Sequence, residues 1–242
     1  MSGHSKWSQI KRQKEKTDIK KGLTFTKLTN AIIIAVKKNG GIVDPNQNFR
    51  LRLAIDSARA YNMPKENIER AIQRAAKKEE GDIEEVIYEG FAPGGVSVIV
   101  EAATDNSQRT TAQIKNIFNK AGGSFGQPGS VLYQFTQVGK ITVGKNGNTF
   151  DEIFSLAVES GAEDIEEEGE NVFVFTKGHD LSKMKDKLMQ GGLKILDAEL
   201  IRKPTVTTKV SDLQQLKTIK GFLETINSLE DVQNVYSNIT ES

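Results

Sequence analysis

The chain contains no cysteine, only two histidines, one tryptophan and five prolines. Without cysteine it has no disulfide framework, no thiolate nucleophile and no cysteine-ligated zinc or iron–sulfur centre, which suits a reducing compartment. His4 lies in a basic segment and His179 in a Gly-His-Asp turn, so the imidazoles supply neither a histidine-rich metal site nor a conventional triad. His179 reads as a turn or helix-capping residue. Long hydrophobic runs are also missing: Ala31-Ile-Ile-Ile-Ala-Val36 falls far short of the roughly 20 residues that span a bilayer. The N-terminus is charged rather than signal-like. These absences lead us to expect a cytoplasmic protein with no membrane partner.

The 242 residues are 37% hydrophobic and 27% charged, a composition that rules out disorder throughout and allows two or three small domains, each with its own core. The formal net charge of +1 conceals an asymmetry. Residues 1–78 hold 18 Lys+Arg and 6 Asp+Glu, whereas residues 79–242 hold 15 and 26. Positive charge gathered at one end of a chain predicts that this end meets a polyanion.

In residues 2–22 the sizeable apolar side chains are Trp7, Ile10 and Ile19, too few to keep the segment ordered by itself. From Thr24, the spacing of Phe25, Leu28, Ile32 and Ala35 predicts a helix that ends at Gly40-Gly41. Asp44-Pro45 reads as an N-cap and first helical residue of a helix running to about Tyr61, and Pro64 opens another to about Lys78. Residues 1–78 are thus expected to form a basic helical nucleic-acid-binding domain. Beyond Gly81 strands alternate with helices. A strand at Val96, a helix over Arg109–Ala121 and a strand over 131–136 read as a β-α-β unit. Strands follow near 140–143, 163–167, 171–176, 194–201, 205–209 and 232–237, with helices over 150–160, 181–190 and 212–229. The expected class is α+β multidomain: the helical domain plus two split β-α-β (ferredoxin-like) α/β domains. Residues 79–136 supply too few strands for a complete domain. Residues 205–242 are therefore expected to complete it, with an acidic α/β domain of residues 137–204 inserted.

Two motifs tempt a catalytic reading and fail it. Gly139-Lys-Ile-Thr-Val-Gly144-Lys145-Asn146 nearly matches a phosphate-binding loop, but Asn stands at the magnesium-binding Ser/Thr position and the intervening residues read as a strand. The carboxylates Glu163, Asp164, Glu166, Glu167, Glu168 and Glu170 lack EF-hand spacing and read as a solvated edge beside a hairpin. An enzyme using that acidic surface is the weakest of the readings. No metal, cofactor or small-molecule substrate is expected.

The basic third is the stronger signal. Arg70, Arg74, Lys77 and Lys78 fall at i, i+4, i+7 and i+8 on one helix face, opposite Ile68 and Ile72, and Arg52 and Arg59 repeat the arrangement on the preceding helix. With Lys6, Lys11, Arg12, Lys14, Lys16, Lys20 and Lys21 they form a candidate phosphate-gripping set. Trp7 either stacks on an exposed base or pins the basic segment to the helices.

Gly3-His-Ser-Lys-Trp7, Phe25-Thr-Lys-Leu28, the run from Met63 to Ile72, the run from Tyr88 to Val96, Thr104-Asp-Asn106, Pro128-Gly-Ser-Val131, Gly161-Ala-Glu-Asp164 and the run from Asp231 to Asn238 together resemble the YebC/PmpR family. The resemblance covers nearly the whole chain in the family's order. It implies a helical N-terminal domain and two α/β domains, one interrupted by the other. It also implies a DNA-binding transcriptional regulator or, as in the mitochondrial translational activator of cytochrome c oxidase, a factor acting in translation on the ribosome. Under the resemblance Lys6, Trp7, Lys11, Lys14, Phe25 and Lys27 belong to the N-terminal signature, and Lys27 joins the candidate nucleic-acid-binding set. Lys21-Gly22 departs from the Arg-Gly expected there, keeping charge but losing the planar fork. The expected protein is a non-enzymatic nucleic-acid-binding regulator of gene expression, with DNA or ribosomal RNA as partner.

Overall fold

The computed structural model describes residues 18–77 and 83–241. The chain folds as two compact units, one running up to Phe135 and resuming at Pro204, the other spanning Thr136–Lys203.

The first unit opens with helices α1 (Asp18–Lys38), α2 (Phe49–Ala60) and α3 (Lys65–Ala76). It continues with strands β1 (Glu84–Ala92) and β2 (Val96–Thr104), helix α4 (Ser107–Lys120) and the short strand β3 (Ser124–Phe125). After the second unit it closes with β8 (Thr208–Val210), α7 (Leu213–Asn227), β9 (Val232–Ser237) and β10 (Ile239–Glu241). α1 starts before the apolar periodicity does and takes in Asp18–Gly22, because extending a nucleated helix costs far less than starting one. Its residues Ile32 to Val36 are all buried. The reason is that α1 packs against α2 and α3 and also meets β2 and β9.

Asp44 does not cap α2. It closes a turn in which its carboxylate accepts from the Asn46 N–H at 2.9 Å, and Asn48 is the cap. The buried Asn48 Oδ1 accepts from the Leu51 N–H at 3.0 Å, and its Nδ2 donates to the carbonyls of Ala35 and Ile42, each at 2.9 Å. One side chain so ties the start of α2 to α1 and to the loop after it.

The first sheet has the order β3-β1-β2-β9 with antiparallel neighbours. β2, α4 and β3 form a split β-α-β unit, with β1 between the two strands. This differs from the sequence expectation in two ways. Residues 84–92, to which the sequence pattern assigned no strand, are the strand β1, joined to β2 by a tight turn in which Gly94 and Gly95 take φ of +82° and +75°, a region glycine enters without Cβ strain. The strand returning from α4 is β3, not residues 131–136, which form a 3₁₀ turn (Leu132–Gln134) leading into β4 (Phe135–Gly144). β3 and Phe118 approach β1 closely at Gly90, where a Cβ would lie 2.5 Å from the Ser124 carbonyl and 2.6 Å from the Phe118 ring. Phe118 anchors the core beneath, edge-on to Phe125 and Phe222 with centroids 5.9 and 4.9 Å away.

The second unit holds β4, α5 (Phe150–Ser160), β5 (Asp164–Glu168), β6 (Asn171–Lys177), α6 (Leu181–Gln190) and β7 (Lys194–Pro204). Its sheet order β5-β6-β4-β7 is the ferredoxin-like one. α5 begins with a capping box in which Thr149 Oγ1 accepts from the Glu152 N–H and the Glu152 carboxylate accepts from the Thr149 N–H. The near phosphate-loop Gly139–Gly144 lies inside β4, hydrogen-bonded to β6. A strand offers no cradle of amides to a phosphate.

Candidate nucleic-acid interface

α3 carries the clearest cationic row. Ile68, Ala71 and Ala75 turn inward, fixing the helix by burial, and leave Arg70, Arg74 and Lys77 exposed. Arg70 and Arg74 stand one turn apart on α3, about 6 Å along the axis at 1.5 Å per residue, and Lys77 follows at its C-cap. None makes an ion pair with a described residue. Lys65, on the same helix, faces Glu69 at 3.5 Å.

On α2 the charges are partly occupied. Arg52 is half-buried with its guanidinium 5.4 Å from the Phe49 ring centre, and Arg59 stands 4.0 Å from the Asp56 carboxylate. Lys27, on α1, sits among polar backbone: its ammonium donates to the Asn227 carbonyl at 2.6 Å, at the C-terminal end of α7 where the helix dipole favours a cation. Lys20 and Lys21 stand in the first turns of α1. Lys6, Trp7, Lys11, Arg12, Lys14, Lys16 and Lys78 lie outside the described residues. Basic residues not singled out in the sequence have structural partners: Lys38 and Arg50 both pair with Glu85, and Lys37 donates to the Ile83 carbonyl.

Two carboxylates, the buried Glu89 and the half-buried Asp231, hold the first unit's loops. Glu89, 3% exposed, accepts from the N–H groups of Gly129 at 2.6 Å and of Val131 and Leu132 at 2.8 Å each. It thereby joins the Tyr88–Val96 run to the Pro128–Val131 run. Asp231 Oδ2 accepts from Thr110 Oγ1 at 2.6 Å, Arg109 Nη2 at 3.0 Å and Thr104 Oγ1 at 3.1 Å. Burial opposes ionisation of Asp231, but the bonds from Thr110, Arg109 and Thr104, with the Arg109 charge, outweigh it and hold its carboxyl below the usual range. Arg109 is held further toward its cationic form, first by its hydrogen bond to Asp231. These groups are locked in mutual hydrogen bonds, an arrangement that fixes structure.

His179 is exposed in the 3₁₀ turn Gly178–Asp180, 3.3 Å from the Asp180 carboxylate. Within the acidic run, Asp164 and Glu166 share Lys203 at 2.6 and 3.2 Å, and Glu167 meets Lys145 at 2.6 Å. Among the described residues, no three His, Asp or Glu converge to hold a metal ion. No helix among them is long and apolar enough to cross a membrane.

Comparison with known proteins covers almost the entire chain. Residues 5–78 match the model of the TACO1/YebC protein N-terminal domain, and residues 83–239 match that of the TACO1/YebC second and third domain. A probable transcriptional regulatory protein from Sulfurihydrogenibium sp. is 45% identical over 98% of this chain and 95% of its own. One from Desulfitobacterium hafniense is 41% identical with the same coverage. The crystal structure of a conserved hypothetical protein from Aquifex aeolicus is similar at a TM-score of 0.89, with 40% identity and 98% of each chain covered.

Proposed function

Because the chain belongs to the TACO1/YebC family, whose curated relatives are named probable transcriptional regulatory proteins, we propose that it is a non-enzymatic, nucleic-acid-binding regulator of gene expression. In this reading residues 1–78 grip phosphate, and DNA is the formal target. The observation that carries it is the group Arg70 and Arg74 on one face of α3 and Lys77 at its C-cap: exposed, without ion pairs among the described residues, in a segment of 18 cations and 6 anions. Such a group neutralises phosphates and releases their counterions, and that release drives binding.

A second reading, a ribosome-associated translation factor that binds ribosomal RNA, is favoured by how the cations are spread. They lie on α3, on α2 and in residues 6–21. Distributed charge positions a protein on phosphates without reading base edges, and a folded RNA supplies phosphates at fixed positions.

The test is fluorescence polarisation of the full chain with duplex DNA and with structured RNA across a salt series. Log affinity is expected to fall linearly with log salt, by roughly 0.9 per neutralised DNA phosphate. Arg70→Glu with Arg74→Glu and Lys77→Glu is expected to flatten the slope. An affinity indifferent to salt, or unchanged in the triple variant, overturns the assignment of the surface.

A further inference from the structure

The tripeptide Lys-Asn-Gly occurs twice, at Lys38-Asn39-Gly40 and at Lys145-Asn146-Gly147, the second where the near phosphate-loop motif ends. Asparagine is thermally labile, and most so before glycine, which has no side chain to shield its backbone nitrogen from the asparagine carboxamide. With the tripeptide the same, the surroundings decide which of the two reacts. At the first, α1 is ending. The Asn39 and Gly40 N–H groups donate to the Val36 and Lys37 carbonyls at 3.3 Å each, and the Gly41 N–H donates to Val36 at 2.9 Å. Asn39 is half-buried. The Gly40 hydrogen bond has to break before that nitrogen can act as a nucleophile.

At the second, β4 has ended and α5 has not begun. The Asn148 N–H donates to the Lys145 carbonyl at 2.8 Å, closing a turn in which Asn146 and Gly147 take φ of +47° and +96°. Positive φ at both central positions is the geometry that Asn-Gly favours. Asn146 and Gly147 are exposed, and neither the Gly147 N–H nor the Asn146 side chain bonds a described residue. A Cβ on Gly147 would meet nothing within 4 Å, so nothing described crowds the nitrogen's approach.

From the unbonded Gly147 amide, the open approach to it and the left-handed turn, we propose that Asn146 is a modification site, deamidating through a cyclic imide while the fold protects Asn39. The Gly147 nitrogen gives its proton to hydroxide and attacks Asn146 Cγ. The new N–Cγ bond closes a five-membered imide, the Cγ–Nδ2 bond breaks, and Nδ2 takes a proton from water and leaves as ammonia. A second water opens the ring. Attack at the side-chain carbonyl gives aspartate, and attack at the main-chain carbonyl gives isoaspartate. The net change is water in and ammonia out, with no redox partner. Either product adds a negative charge beside the β5–β6 hairpin, where the Lys145 N–H bonds the Glu170 carbonyl at 3.0 Å and the Lys145 ammonium meets Glu167. Isoaspartate also lengthens the main chain by one methylene just before Thr149, the cap of α5.

The experiment keeps the full chain at mildly alkaline pH, once folded and once in concentrated urea. Peptide mass spectrometry follows conversion at each asparagine, and an isoaspartyl methyltransferase with labelled methyl donor scores isoaspartate. In the folded chain Asn146 is expected to convert at least about tenfold faster than Asn39, and in urea the two are expected to agree within about twofold. Asn146→Gly, a residue at ease with positive φ, is expected to remove most methyl acceptance from the folded chain. The proposal is overturned if folded Asn146 stays unmodified while the same position reacts in urea, or if Asn39 converts as fast as Asn146 in the folded chain. It is also overturned if the gap persists in urea, since the difference then belongs to the neighbouring sequence and not to the fold.

Discussion

Asp231 and Glu89 illustrate how a single carboxylate can act as a loop anchor. A group whose folded pKa is depressed contributes stability above its unfolded value, about pH 4 for aspartate, and loses that contribution as pH falls through the lower folded value. Asp231→Asn is therefore expected to show its largest stability deficit near neutrality. The gap to the parent narrows below about pH 4, measured by urea unfolding at several pH values. A gap that stays constant from neutral to acid pH shows that the Asp231 charge is not what stabilises. Glu89→Ala leaves the Gly129, Val131 and Leu132 N–H groups without their acceptor. With each orphaned amide costing about 1–3 kcal/mol, a loss on the order of 3 kcal/mol is expected. A loss under about 1 kcal/mol means water reaches those amides freely.

At the scale of elements, α1 and α3 carry basic residues with opposite fates. The α3 cations project from a helix held by Ile68, Ala71 and Ala75, so charge reversal at Arg70 and Arg74 is expected to weaken nucleic-acid binding while shifting stability by no more than about 0.5 kcal/mol. Lys27 of α1 bonds the Asn227 carbonyl of α7. Lys27→Met is expected to cost about 1 kcal/mol of stability and to leave affinity within about twofold of the parent. Thermal unfolding and polarisation measured on the same samples separate the two. If Lys27→Met instead lowers affinity at unchanged stability, Lys27 belongs to the binding surface.

At the scale of the whole molecule, the charge asymmetry sets what kind of selectivity to expect. Positive charge spread over several elements gives affinity without base readout, so a promoter fragment is expected to outcompete scrambled DNA by well under the 10³-fold that marks specific DNA-binding proteins. Competition at physiological salt checks this. A promoter preferred by that factor or more establishes direct operator recognition, with shape readout or dimerisation as its source.

The helices and most strands were legible because their signals are local. The 3.6-residue period of Leu181–Gln190 and the spacing of Val232, Val235 and Tyr236 give elements with the bounds expected, and the motif resemblance led to the family. Where local signals compete, tertiary structure decided. Asp44-Pro45 has the chemistry of a helix start, yet Asn48 caps α2, because its amide also reaches the carbonyls of Ala35 and Ile42, partners that exist only once α1 is in place. Val131–Phe135 has strand composition, yet it turns, because Glu89, some 40 residues earlier in the chain, gathers its amides. The division among the cations follows the same rule. Sequence placed Lys27, Arg52 and Arg70 in one basic set, and only packing decided that Lys27 caps a distant helix end, Arg52 lies over Phe49 and Arg70 faces solvent. Local pattern fixes which residues form a helix or strand, since that depends on neighbours a few positions away; what a side chain touches depends on residues brought together by the fold.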